Sequence, residues 1–254
     1  MLQLQEEPRS TLAFNLYKAL SSNLGPTENL VFSPLSVATS LAKIALGTKQ
    51  NTAEEIREAL AYPDVEYAED IADEMYELFN HLEDLKDAFD LVMSEGMFLD
   101  QDFTVLDRFE RDVLSNDFSE VEQFERGKAG DSINNWFSES NCGYMELPFE
   151  INNDAQLVVT NVLSFGNLWD KPFDPVDTKE GDFTMANGET VQVPMMHQHN
   201  RFLQSYSKEL KAIMIELPLL DREMSMFIFM DHFIEPQDGD DEEKEEEHPL
   251  QFKG

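Results

Sequence analysis

Leu157 to Phe165 (LVVTNVLSF) is the stretch that most limits what this chain can fold into. It is apolar, rich in β-branched side chains and too short for a helix of the core. Asn and Asp bound it on one side and Gly166-Asn167 on the other, so it reads as a strand covered on both faces, central in a large sheet. The amide of Asn161 in its middle is the informative group. A buried amide without a hydrogen-bond partner costs about 1–3 kcal/mol, so other groups are expected to meet it. Trp169 closes the strand, and Pro172 and Pro175 forbid its continuation. An alternating run then ends in Val193-Pro194-Met195-Met196.

Upstream, the spacing is helical. Leu12, Leu16, Tyr17 and Leu20 share one face, with Ser10 or Thr11 as N-cap, and Asn23 to Pro26 ends that helix. Leu30-Val31-Phe32 reads as a short buried strand. Ser33-Pro34 starts a second helix with a hydroxyl cap, followed by a residue whose missing N–H costs nothing there. Leu35, Ala38, Leu41, Ala42 and Ala45 line its buried side, and Gly47 stops it. Thr52 and Glu55 form a capping box for a third helix, which turns Ile56, Ala59 and Leu60 inward. Tyr67, Ile71, Met75, Leu78, Leu82 and Leu85 step by three or four residues through a long helix with an acidic outer face.

Phe89 to Leu99 is strand-like, with Leu91, Met93 and Met97 on one parity. Val105, Leu106, Phe109 and Val113 indicate a short helix, and Asp117 to Phe124 an edge strand or turn. Ile133, Trp136 and Phe137 anchor a helix that ends near Gly143. Further strands are expected at Glu189–Met196, Arg201–Tyr206 and Ala212–Leu217, with a final buried one at Met224–Met230. Helices dominate early and strands late, the pattern of an α+β fold.

Charge narrows the function classes. Eighteen Lys and Arg stand against 52 Asp and Glu, a net charge of −34, which disfavours nucleic acid or an anionic membrane as partner. The bland reading of that surface is solubility; a basic partner is the sharper one. No apolar run reaches the length of a bilayer span, and the first residues lack the basic and hydrophobic segments of a signal peptide. Cys142 is the single cysteine, so no disulfide forms within the chain.

The sequence holds no G-x-S-x-G, phosphate-binding loop, G-x-G-x-x-G or H-E-x-x-H. His197 and His199 point to the same side of a strand, but two ligands do not close a zinc site and no third or fourth stands near. They read as surface histidines. Cys142, beside a glycine at a helix end, reads as an inert thiol. The residues imply no enzyme, no cofactor and no metal.

Several strings then become specific: Asn29-Leu-Val-Phe-Ser33-Pro34-Leu-Ser36, Ile44-Ala-Leu-Gly47 and Thr52 to Leu60. Ile133-Asn-Asn-Trp136-Phe137, Thr160-Asn161, Trp169-Asp-Lys-Pro172-Phe173-Asp174-Pro175, Phe183, Val193-Pro194-Met195-Met196 and Met224-Ser-Met-Phe-Ile228 follow in order. Together they resemble the serpin family over about Ser10 to Phe229. Asn141, Tyr144, Ser164 and Gly166 depart from the residues usual there, and are expected to be tolerated surface or loop changes.

The resemblance implies a serpin-like α+β fold. N-terminal helices would pack on a large mixed or antiparallel sheet beside part of a second sheet, the whole C-terminally truncated. Residues 1–230 would form an incomplete serpin-like domain and residues 231–254 a disordered acidic tail. The family acts by suicide inhibition of serine-type endopeptidases. A bait loop is acylated, then inserts into the main sheet as a new strand and distorts the enzyme, a case of strand addition.

By resemblance, the Asn161 strand is one lip of that opening, with Ser33 and Ser36 beneath as hydrogen-bond partners and Trp169 at the top where insertion begins. The structural alternative is that these residues only pack and satisfy a core; none is catalytic. The family pattern stops near Met230 and no reactive-centre loop follows, so the chain is expected to be inactive as an inhibitor. A serine or cysteine protease is the family partner, with its binding element absent. The alternative function is a non-inhibitory carrier or chaperone-like protein that uses the acidic surface. The acidic Tyr67–Leu85 helix argues against heparin activation. Extracellular localisation is the family default, with a cytosolic form left open by the lack of a signal peptide. Edges left unpaired would favour aggregation.

Overall fold

The computed structural model describes residues 6–25, 27–84, 90–105, 109, 119–125, 127–140, 151–152, 154–220, 222–231 and 244–253. The chain divides into two compact units, Met1–Leu24 with Glu28–Gly166, and Gly25–Thr27 with Asn167–Gly254.

The first unit holds helices α1 (Glu6–Ser21), α2 (Pro34–Leu46), α3 (Gln50–Ala59), α4 (Ala68–Asp84) and α5 (Ala129–Ser140). Strands β1 (Asp90–Asp100), β2 (Ser119–Phe124) and β3 (Leu157–Gly166) form a mixed sheet in the order β2-β1-β3. β2 runs parallel to β1, and β3 antiparallel to it. One core gathers Leu12, Ala38, Ala42, Leu60, Tyr62, Ile71 and Met75 from the first four helices and their connections. A second joins Phe98, Phe124 and Val162 of the sheet to Ala129, Ile133, Trp136 and Phe137 of α5.

The α2 boundaries match their sequence signals: Ser33 is the N-cap, Pro34 the first helical residue and Gly47 the C-cap. Other expectations are corrected. α1 begins at Glu6, so Ser10 and Thr11 lie inside it rather than capping it, and Tyr17 and Leu20 are exposed. α3 begins at Gln50, which places Thr52 within the helix, and its N-terminus has no side-chain cap. Leu30-Val31-Phe32 is not a strand; Val31 is 95% exposed. Apolar character does not make a strand where no neighbour among the described residues offers a ladder. The Val105–Val113 helix falls largely outside the described residues, as do Leu85 and Phe89.

The largest correction concerns β3. It is the edge of its sheet among the described residues rather than a central strand, and only Val162 is fully buried. The centre is β1, whose residues from Glu95 to Asp100 are all buried. Register fixes the two faces. Phe98 and Gly96 lie opposite Val158 and Thr160, and this parity packs on α5. Glu95 and Met97 lie opposite Asn161 and Val159 on the other face, where Glu95 meets α2.

The second unit is an antiparallel sheet of β4 (Lys179–Thr184), β5 (Thr190–Ser207), β6 (Ala212–Pro218), β7 (Ser225–Asp231) and β8 (Lys244–Lys253). Met195 pairs with both Lys179 and Lys253, and Gln204 with both Ile215 and Lys244. β8 therefore follows one edge of β5, while β4 and β6 share the other. Phe202, Ile215 and Leu217 form the core of this unit, with Trp169, Ile213 and Ile228 against them.

Two expected strands, Glu189–Met196 and Arg201–Tyr206, are one strand of 18 residues. β7 is not buried as expected: among the described residues it pairs with β6 alone, and Met226, Phe227 and Phe229 are exposed. Composition implied a disordered tail from residue 231, yet the backbone of Lys244–Lys253 is extended and paired with β5. A ladder is made by the main chain and tolerates acidic side chains on either face.

Candidate functional site

Ser33 stands where α2 begins. Its Oγ accepts a hydrogen bond from the backbone N–H of Ser36 at 3.2 Å and another from the Ser36 hydroxyl at 3.0 Å. The Ser36 carbonyl in turn accepts from the Thr39 hydroxyl at 3.0 Å. Sequence reasoning assigned the two serine hydroxyls to Asn161; the structure turns them toward each other and the helix end. Capping explains why, since the first N–H groups of a helix have no internal partner and a hydroxyl at this position satisfies one.

Asn161 lies directly opposite Glu95 of β1. Among the described residues, no donor reaches its buried Oδ1. The expected meeting of groups around this amide is therefore incomplete.

The polar centre on this face is instead Glu95, which sequence reasoning missed. Glu95 is 2% exposed, its Oε2 lies 2.6 Å from Lys43 Nζ, and its Oε1 accepts from the Ser40 hydroxyl at 3.3 Å. Ser40 and Lys43 are three residues apart on α2 and so present their side chains together. A buried carboxylate is tolerable only when paired and hydrogen-bonded, and these two residues supply the charge and the donor. A signal was present in the sequence. Glu95 shares the parity of Leu91, Met93 and Met97, so an inward acid on an apolar face called for a cation nearby.

The opposite face is aromatic. Phe98 and Trp136 meet edge to face, with ring centroids 5.9 Å apart at 78°. A Cβ on Gly96 would lie 2.7 Å from Phe98 Cε2, 2.9 Å from Trp136 Cε2 and 3.0 Å from Thr160 Oγ1. Glycine is thus required for the indole to lie against β1. Trp136 Nε1 is itself buried without an acceptor among the described residues.

Trp169 belongs to the second unit. It bridges to Leu219, meets Phe173 edge to face at 6.3 Å, and packs against the core of Phe202, Ile215 and Leu217. Its segment is zipped to the turn after β6 by Asp170 N–H to Pro218 O (3.0 Å) and Leu220 N–H to Leu168 O (2.8 Å). Arg222, on backbone at φ 62°, donates to Asp170 Oδ2 at 2.8 Å and closes that clasp. The structure thus seats Trp169 firmly within its own unit.

His197 uses Nδ1 on the Met195 carbonyl at 3.0 Å. Among the described residues no group of three His, Cys, Asp or Glu could hold a metal ion, and no helix is long and apolar enough to cross a membrane. Cys142, Asn141 and Tyr144 lie outside the described residues.

A helix-backed mixed sheet in one unit and an antiparallel sheet in the other define a fold class with known members. The family model of serpins (serine protease inhibitor) matches residues 7–246. An alpha-1-antitrypsin-like protein, GS55-MS, of Ictidomys tridecemlineatus is 31% identical over 229 residues, covering 86% of this chain and 54% of the relative. Alpha-1-antiproteinase 2 of Equus caballus is 32% identical over 224 residues, covering 86% and 53%. The crystal structure of thyroxine-binding globulin complexed with a thyroxine–fluorescein conjugate superposes with a TM-score of 0.82 at 24% identity. That match covers 91% of this chain and 70% of the other, and shows the fold.

The chain belongs to the serpin family. It spans about half the length of the curated relatives it matches.

Proposed function

We propose that these 254 residues carry the receiving part of a serpin-type protease trap, with the outer edge of β3 as the lip along which an inserted strand pairs. The observation that supports this reading is one-sided pairing. β3 is bonded to β1 along its whole length, and no strand among the described residues occupies its other edge. An extended segment can add to such an edge through main-chain hydrogen bonds alone. Asn161 then belongs to the lip itself with Ser33 and Ser36 beneath it, and Trp169 marks the site where insertion starts. All four act by positioning rather than by chemistry.

In this proposal the target class is the serine-type endopeptidase, as the names of the relatives suggest, and the setting is extracellular. The bait is not recognised within this span. Incubating the purified 254-residue chain with a panel of serine proteases, followed by a denaturing gel, tests that. The expected result is no SDS-stable adduct, and a covalent adduct with any of them would overturn the proposed division of roles.

The net charge of −34 favours a second reading, a carrier for basic partners. Salt-sensitive retention of one discrete cationic protein would support it. Indiscriminate retention of cations would reduce it to plain electrostatics.

A further inference from the structure

The geometry points to Glu95, Lys43 and Ser40 as a buried charge lock that fixes the position of the three-stranded sheet over α2. β1 is the central strand, and β3 is tied to it residue for residue from Asp90–Gly166 to Leu99–Leu157. A displacement of β1 across α2 carries β3 with it. Apolar packing is non-directional and survives small slides. The contact of Lys43 Nζ with Glu95 Oε2 at 2.6 Å is different.

Separating that pair leaves a carboxylate that is 2% exposed without its cation. Water cannot readily take the place of Lys43 at such a site. Removing one partner of a buried pair typically shifts a folding or opening equilibrium by roughly a hundredfold to a thousandfold or more. The Ser40 hydroxyl on Oε1 adds direction, so that both carboxylate oxygens are committed to α2. Asn161, the residue paired with Glu95, contributes no such bond through Oδ1. The pair therefore pins the sheet to α2 beneath its central strand, and sliding of β1 and β3 across α2 has to pivot about it or break it.

This inference does not depend on the protease reading, because its readout is backbone exchange in the isolated chain. Hydrogen exchange with mass spectrometry would be run on the 254-residue chain and on Glu95→Gln, Lys43→Met and the double variant Glu95→Leu/Lys43→Met. Each single variant is expected to speed exchange in β1 and β3 at least tenfold while leaving β6 within twofold. The double variant, with an apolar contact in place of the pair, is expected to recover its global melting temperature and to keep faster exchange in β1 and β3. Should the singles fail to accumulate folded, Ser40→Ala removes one donor only and is expected to give about a threefold effect at the same strands. The proposal is overturned if the double variant regains full protection in β1 and β3, or if Ser40→Ala and the singles leave those strands unchanged. The pair would then be a satisfied core charge with no hold on position.

Discussion

β1 and β3 are neighbours in one sheet, paired over ten residues, yet their burial runs against their composition. β1 (DLVMSEGMFLD) carries three acids and a glycine, and its second half is buried throughout. β3 (LVVTNVLSFG) carries no charge, yet Leu163 is 37% and Phe165 44% exposed. Number of neighbours decides the matter. β1 has a strand on each side, and of its two buried acids Glu95 is met by Lys43 while Asp100 accepts from the Asp102 N–H. β3, although α2 and α5 lie against it too, has a strand on one side only among the described residues. Hydropathy records what a strand can tolerate, while burial records how many elements actually surround it.

The contrast can be broken most sharply at the paired residues Glu95 and Asn161. Glu95→Leu removes the buried ion pair with Lys43 and the hydrogen bond from Ser40, and is expected to lose about 3–5 kcal/mol in urea unfolding. Asn161→Leu removes an amide whose Oδ1 is already without a donor, and is expected to change stability by less than about 1 kcal/mol. Equal losses at the two positions would erase the distinction between the strands.

The glycines offer the next test. Gly96→Ala in β1 drives a methyl group to 2.7 Å from Phe98 and 2.9 Å from Trp136. Thermal melting should report a loss of about 1–3 kcal/mol. At the end of β3, a Cβ on Gly166 meets nothing nearer than the Asp90 Cβ at 3.4 Å, so Gly166→Ala should stay within about 0.5 kcal/mol.

Beneath the sheet, Ser33→Ala removes the α2 cap and should cost about 1 kcal/mol, with helix content otherwise kept. A larger loss would mean that Ser33 does more for the sheet than cap the helix.

A fourth, smaller effect concerns a partly buried polar pair whose donor is neutral. Tyr62 donates to Glu74 Oε1 at 2.7 Å. Burial first, and then this hydrogen bond, push its phenol well above the ordinary value. The unfolded chain gives up that proton near pH 10 and the folded chain retains it, so stability falls as pH rises through 10. The expected loss is under about 1 kcal/mol at half a pH unit above that point, and Tyr62→Phe should flatten the slope.

Much of the fold was legible where a signal is local. Ser33-Pro34 and Gly47 delimit α2 because capping depends on a few adjacent residues. Ile133, Trp136 and Phe137 are buried together because helical spacing puts them on one side. What escaped depends on distant partners. Glu189–Met196 and Arg201–Tyr206 read as two strands, yet β5 runs through His197 to Asn200, where β8 pairs with its backbone. Val31 and the phenylalanines of β7 are as apolar as a core strand and lack neighbours to cover them among the described residues. At the candidate site, Asn161 was recognisable as a buried amide in a strand, but its pairing with Glu95, and the pairing of Glu95 with Lys43 52 residues away, are set by topology.

The most direct measurement concerns the outer edge of β3. A synthetic extended peptide of alternating small and apolar residues would be added to the purified chain, and amide exchange followed strand by strand. A vacant strand position there should give at least tenfold slower exchange in β3 together with a higher melting temperature, and no change in β6. Unaltered β3 exchange at saturating peptide, or protection appearing only along β7, would contradict the assignment of β3 as the receiving lip.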